Sequence, residues 1–242
     1  MKVKADLHIH SCLSPCGDND MTPCNIVNMA KLLGYDMIAL TDHNSCLNCE
    51  PTVKAGKKIG LTVVPGMELC TAEEIHCVCL FRNVKKALEF SDYIRSTMPD
   101  IENKPEIYGE QIIMNSDDEA AGFEKRLLHL ASSVSVDELV GLVKEYDGAC
   151  FPAHLDRSSY SLLSVMGFIY PELNFTTVEF TPEANVESFY ESNPLLREMK
   201  IVRNSDAHYL ENMIEPVQEL DLPDCSAGAL VDYINKKQEE RL

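Results

Sequence analysis

Seven histidines occur in this chain of 242 residues, and six of them stand in short motifs rich in carboxylates. His8 and His10 lie in Asp6-Leu7-His8-Ile9-His10, His43 follows Asp42 in Thr41-Asp42-His43-Asn44, and His76 follows Glu68 at a distance of eight residues. His154 sits in Pro152-Ala153-His154, and His208 closes Ser205-Asp206-Ala207-His208. Imidazole and carboxylate are the donors that Zn, Fe and Mn accept. Side chains two apart on a strand share a face, so His8 and His10 can reach one cation, and Asp206 with His208 repeats the spacing. Neither a Gly-x-Ser-x-Gly nucleophile elbow nor a Gly-x-x-x-x-Gly-Lys phosphate loop is present, which points to metal-assisted hydrolysis without a nucleophilic side chain.

Such residues need elements that bring them together. Short apolar, β-rich runs at 2–10, 36–42, 61–68, 75–81, 148–154, 176–180 and 200–206 read as buried strands. Helical periodicity appears at 22–33, where Thr22-Pro23 forms a start signal and Gly34 a stop, and again at 84–94, 136–146 and 227–237, with a weaker case at 51–59. The alternation predicts a parallel α/β architecture, a barrel or a doubly wound sheet. In a barrel all strands would end at one face, and six histidines fall within or just past predicted strands. Only His129 falls elsewhere, inside the polar stretch 96–135, which breaks the rhythm and reads as an insertion or lid in a single domain spanning 1–242.

Composition sets the class of molecule. With 45% hydrophobic and 25% charged residues the chain is that of a folded protein with a core. No apolar run approaches a membrane span and the N-terminus lacks a signal-peptide core, so the expected location is cytoplasmic, with no membrane partner. Ten cysteines are accordingly read as thiols or metal ligands, Cys46, Cys49, Cys77 and Cys79 as ordinary buried or loop thiols. Met166, Met199 and Met213 read as core filler. The net charge of −18 repels polyanions and predicts no duplex nucleic acid partner, although bound cations would reverse the sign locally.

In their order along the chain, Asp6-Leu7-His8-Ile9-His10-Ser11, Thr41-Asp42-His43-Asn44, Pro65-Gly66-Met67-Glu68-Leu69, Pro152-Ala153-His154 and Ser205-Asp206-Ala207-His208 resemble the motifs of the PHP (polymerase and histidinol phosphatase) family of metal-dependent phosphoesterases. The resemblance implies a distorted TIM-like (β/α)7 barrel carrying two or three divalent ions (Zn, Fe or Mn), a trinuclear centre when full. It implies that His8, His10, Glu68 and Asp206 hold one ion, that Glu68, His76 and His154 hold a second with Glu68 bridging, and that His43 and His208 hold a third. Relatives place an Asp or His after the first motif as a further ligand of the third ion. Here Cys16 is the aligned residue, with Asp18 and Asp20 just beyond; a thiolate there would favour Zn or Fe.

The expected activity is hydrolysis of a phosphate ester of a small metabolite, nucleotide or short oligonucleotide by a metal-bridging hydroxide. Asp206 and Glu68 would be central to it, Arg157 would bind a phosphate oxygen, with Arg203 a weaker candidate, and Asp42 would orient a ligand or shuttle a proton. Two alternatives stand beside this reading. One is an amidohydrolase-like C–N hydrolase on the same barrel, disfavoured because Glu68 rather than a modified Lys takes the bridging position. The other is a catalytically silent metal-binding regulatory module.

Overall fold

Strand β1 (Lys2–Ile9) is followed by helix α1 (Pro23–Leu33), β2 (Met37–Leu40), α2 (Cys49–Ile59) and β3 (Thr62–Cys70). These form two β-α-β units with parallel pairing of β1 to β2 and of β2 to β3. Thr22 caps α1 by accepting from the Asn25 amide, Pro23 occupies its first turn, and Gly34 closes it with φ of 89°; the start and stop signals in the sequence thus act as read. The structure, a computed structural model, describes residues 1–237, so the last five residues of the expected 1–242 domain lie outside the described residues.

After β3 the direction reverses. Strand β4 (His76–Phe81) pairs antiparallel with β3 because the few residues between Cys70 and His76 allow a hairpin and not a crossover. The sheet is therefore mixed where the sequence led us to expect parallel strands throughout. Gly66 makes the close β3–β4 approach possible, since a Cβ there would stand 2.5 Å from the Cys79 carbonyl oxygen. Next come α3 (Val84–Thr97), α4 (Pro105–Tyr108), a small hairpin of β5 (Ile112–Met114) with β6 (Ala120–Phe123), and α5 (Val136–Glu145). The irregular stretch 96–135 thus contains a short helix and a hairpin outside the main sheet.

Strand β7 (Gly148–Pro152) returns to pair antiparallel with β4, then α6 (Leu162–Met166) leads to β8 (Thr177–Phe180) and β9 (Lys200–Arg203), which pair in parallel. Strand β10 (Glu219–Asp221) adds to the outer edge of β1, and α7 (Ala227–Asn235) ends the described chain. The main sheet runs β10-β1-β2-β3-β4-β7, and a parallel bridge from Ala207 to Ile9 joins the segment after β9 back to β1. This is an α/β fold with a strongly curled, barrel-like sheet.

Two apolar clusters fill it. One, with Val3, Ala5, Leu7, Val64, Leu80 and Phe151, lies within the curl and is covered by Leu230, Val231 and Ile234 of α7. The other packs α1, α2, α3 and α5 on the outside. Leu7 belongs to the inner cluster but Ile9 to the outer one, and the β1–β2 register shifts between Asp6 and Ile9. That irregularity changes the facing of β1 and turns His8 and His10 inward at the strand end, as bulges beside active sites commonly do.

Candidate metal centre

At the ends of β1 and β3 and in the loop after β9, His8, His10, Glu68 and Asp206 each offer a donor atom within 4.8 Å of the others, all buried. His8 Nε2 lies 3.1 Å from His10 Nε2 and 3.3 Å from both Glu68 Oε1 and Asp206 Oδ1. His10 Nε2 is 3.2 Å from Asp206 Oδ1 and 3.4 Å from Glu68 Oε2. Glu68 is the hub: His76 Nδ1 and His43 Nδ1 each stand 2.9 Å from its oxygens, and His154 Nε2 stands 3.3 Å away. His43 is thus as close to this carboxylate as His76 is, although the family resemblance grouped it with the third ion. His10, His43 and His208 form a further set of donors within 4.8 Å of one another.

Backbone conformation helps aim these side chains. His154 and Asp206 hold φ of 32° and 51°, left-handed values that cost a non-glycine residue about 1–3 kcal/mol and persist where the surroundings enforce them. His154 Nδ1 and Asp206 Oδ1 are buried without a well-directed hydrogen bond. A buried carboxylate oxygen so left, with imidazole nitrogens facing it, fits a divalent cation better than it fits a hydrogen-bonded core.

Behind the cluster, a second layer fixes the rings. The His8 Nδ1–H donates to Glu179, whose oxygens lie 3.0 and 3.1 Å away, which makes Nε2 the nitrogen that gives up its proton to a bound cation. Glu179 also accepts from the His154 amide at 3.0 Å and from Asn204 Nδ2 at 2.6 Å. Sequence reasoning missed Glu179; the signal was an acidic residue in a strand that is otherwise apolar at its end. Asp42 does not touch the cluster. It accepts from the Ser11 amide and hydroxyl and from the Ser14 hydroxyl at 2.7 Å, and Ser14 Oγ stands 2.9 Å from His10 Nδ1. Asp42 therefore reaches His10 only through Ser14.

The electrostatics are those of a site that demands positive charge. Burial opposes ionisation of Glu68, but His76, His8 and His43 hold its carboxyl well below the usual range. Asp206 is held low in the same way by His8 and His10 against the effect of burial. Burial would depress His8, yet Glu179, Asp206 and Glu68 raise it well above its ordinary value, and Glu68 lifts His76 to about 10 against the same opposition. His10 and His43 are lowered by burial and crowded by His208.

At the mouth, Arg157 Nη1 pairs with Asp206 Oδ2 at 2.6 Å, while Asp156 instead accepts from the Thr181 amide and hydroxyl. Arg203 is structural, donating to the carbonyls of Thr181, Pro182 and Ala184. A cavity of about 120 Å³ is lined by His43, Glu68, His76, His154, Arg157 and Asp206, among others, with the Tyr160 ring stacked 4.6 Å from that of His76. Cys16, half-buried, lies beside His43 and His129, its thiol pushed up by burial and by Glu68. The Asp18 carboxylate accepts from the Asp20 amide. Cys46, Cys49, Cys77 and Cys79 are buried thiols.

Comparison with known proteins adds the following. The family model described as the PHP domain matches residues 6–164. An uncharacterized protein of Methanocaldococcus jannaschii is 38% identical over 95 residues, covering 36% of this chain and 56% of that protein. A 5′-3′ exoribonuclease of Haemophilus influenzae is 34% identical over 83 residues, covering 33% of this chain and 29% of the enzyme. The lesion-specific endonuclease Q of Pyrococcus furiosus has a similar fold, with a TM-score of 0.64 at 18% identity over 97% of this chain and 56% of that one. An endonuclease Q complex with a 27-mer duplex carrying an abasic lesion at the active site is similar at a TM-score of 0.63, 17% identity and the same two coverages. The matched stretches thus span about half or less of these proteins' own lengths.

The duplex in that complex corrects one expectation. The net charge of −18 predicts no duplex partner, but endonuclease Q, whose fold is similar, holds a duplex substrate with an abasic lesion at its active site, so a duplex is not excluded by charge. The exclusion fails because net charge is a sum over the whole surface, screened beyond about 10 Å at 0.1 M salt, whereas phosphate binding depends on the cations and guanidinium at the site. No described helix is long and apolar enough to cross a membrane.

Proposed function

We propose, from the premise that this chain belongs to the PHP domain family, that it is a metal-dependent phosphoesterase with the Glu68 cluster as its reaction centre. The observation that carries this reading is the meeting of His8, His10, Glu68 and Asp206, drawn from opposite ends of the chain, in a buried site with a guanidinium at its rim. On this reading His8, His10, Glu68 and Asp206 hold one divalent ion, Zn, Fe or Mn, and Glu68, His76 and His154 a second. His43 and His208 are the family-type ligands of a third. Ions so held supply Lewis acidity toward a phosphoryl oxygen and acidify a water near neutral pH.

The chain's own groups do the rest. Glu179 keeps the His8 proton on Nδ1, and Asp42 acts on His10 through Ser14, so both Nε2 lone pairs stay aimed inward. Arg157, tethered to Asp206 through one nitrogen and 46% exposed, has N–H groups left for a phosphoryl oxygen. Tyr160, 48% exposed, gives the mouth an aromatic face on which a base can stack. The small cavity suits a phosphoryl group with the remainder of the substrate outside it, which favours a nucleotide or an oligonucleotide. The exoribonuclease and endonuclease among similar proteins weigh the same way.

The test is a panel of phosphomonoesters, single-stranded oligonucleotides and lesion-bearing duplexes, with cyclic amides as controls. Hydrolysis of a phosphoester that requires added metal is expected. Equal turnover after chelation, or turnover of amides alone, would overturn the proposal; no turnover of any substrate with every site loaded would favour the regulatory module.

A further inference from the structure

The one histidine outside the motifs is brought to the metal centre by the insertion. His129 Nε2 lies 3.2 Å from Cys16 Sγ, its ring centroid is 4.7 Å from that of His43, and the three residues offer donor atoms within 4.8 Å of one another. Two ligands of one tetrahedral zinc, with Zn–S of about 2.3 Å and Zn–N of about 2.0–2.1 Å, stand about 3.5 Å apart. The Cys16–His129 pair, at 3.2 Å, stands within about 0.3 Å of that separation. We infer that His129 is a ligand of the outer ion: it completes, with Cys16 and His43, the third-ion position that the resemblance gives to His43 and His208, and makes it a thiolate–imidazole site for zinc above manganese or magnesium.

The surroundings are built to hold these groups there. Asn44, adjacent to His43 and held at φ of 49°, donates through Nδ2 to the carbonyls of Leu128 and Leu130, the two neighbours of His129. The same side chain accepts from the Cys70 amide at 2.9 Å, so the His129 backbone is pinned to the end of β3. The Leu128 amide donates to Gln111 Oε1, tying that segment to the start of the hairpin. On the other side, Gly109 approaches Pro15 so closely that a Cβ would lie 2.2 Å from the Pro15 carbonyl oxygen, and the Ile112 amide donates to the Cys12 carbonyl at 2.8 Å. The loop that carries Cys16 and the loop that carries His129 are thus fastened to each other as well as to the barrel.

The donor chemistry separates this site from the inner one. Glu68 and Asp206 make the inner set hard and oxygen-rich, whereas a thiolate with two imidazoles prefers zinc. On binding, the Cys16 S–H bond breaks, its proton passes to solvent, and the sulfur lone pair forms the metal bond. His208 is the competing third ligand, because it also lies within donor range of His43.

Cobalt substitution decides the matter without reference to turnover. Protein loaded with Co2+ is expected to show a thiolate-to-cobalt charge-transfer band in the near ultraviolet, lost in Cys16→Ser. In His129→Ala the band should vanish and zinc retained after gel filtration should fall by one equivalent per chain, with the ions of the inner set kept. His129 is exposed, so its removal leaves the fold intact, and His129→Cys should restore the equivalent with a band about twice as intense from the second thiolate. An unchanged band and zinc content in His129→Ala, or their loss in His208→Ala but not in His129→Ala, would overturn the inference. The inference goes beyond the phosphoesterase reading and does not rest on it: a band without phosphoester turnover sinks only that reading, and turnover without a band sinks only this one.

Discussion

The inner cluster and the outer one differ in what carries them. His8, His10, Glu68 and Asp206 sit at the ends of β1 and β3 and just past β9, with side chains at most 5% exposed and a second layer of Glu179, Asn204, Ser14 and Asp42 behind them. Cys16 and His129 sit on loops, one half-buried and one exposed, held by Asn44 and by loop-to-loop backbone hydrogen bonds. Rigid strands give the first set precision, while the second gains its geometry only where the 96–135 stretch folds back on the rim.

The largest effect is expected from removing the hub. Glu68→Gln should abolish metal-dependent phosphoester hydrolysis, to the level of chelated protein, because a neutral amide cannot answer the histidines and cations around it. Metal analysis should show the inner ions lost while the cobalt–thiolate band survives; activity retained in this variant would end the role given to Glu68. A smaller loss is expected from Glu179→Gln, about 10–100-fold in activity or inner-metal affinity. An amide there can present N–H to His8 Nδ1 and so favour the wrong tautomer, and titration with Mn2+ or Zn2+ would reveal no change if the second layer is idle. Asp42→Asn, one group farther from the ring it serves, should fall at the lower end of that range, about tenfold.

His76, lifted to about 10, carries a proton at neutral pH in chelated protein, and a metal ligand must be deprotonated. Inner-metal binding should then release protons near pH 7, and affinity should climb as pH rises toward 10. Calorimetry in two buffers of different ionisation enthalpy reads this directly, and no release would remove His76 from the ligand set. The smallest effect is on the outer surface of the β5–β6 hairpin: Phe123 is 56% exposed on β6, so Phe123→Ala should shift unfolding free energy by less than about 0.5 kcal/mol. Phe151→Ala, within the curl, should cost about 3–5 kcal/mol by chemical denaturation.

Much of the inner cluster was legible because the residues that need chemistry also carry local signals. His-x-His after an alternating run, Asp-x-His after another, and a glutamate ending a buried strand are patterns that period-2 structure makes meaningful. Seven of the ten described strands were readable for the same reason, while β5, β6 and β10, three or four residues each, are too short to show a period; α1 was announced by its cap, its proline and its closing glycine. The reversal of β4 was implicit in the short link before it, yet the barrel expectation concealed it. Glu179, Asn44 and His129 were not legible, since each matters through partners far away in sequence.

What the amino-acid order fixed by itself, then, is which side chains could serve as ligands and which short elements would bear them, because periodicity and capping act over a few neighbouring residues. Tertiary structure alone decided which way they faced. The register shift after Asp6 turns His8 and His10 into the curl, the closing bridge from Ala207 to Ile9 sets Asp206 beside them, and the fold-back of the 96–135 stretch delivers His129 to Cys16. Each of these depends on pairing between segments distant along the chain, which no local pattern encodes.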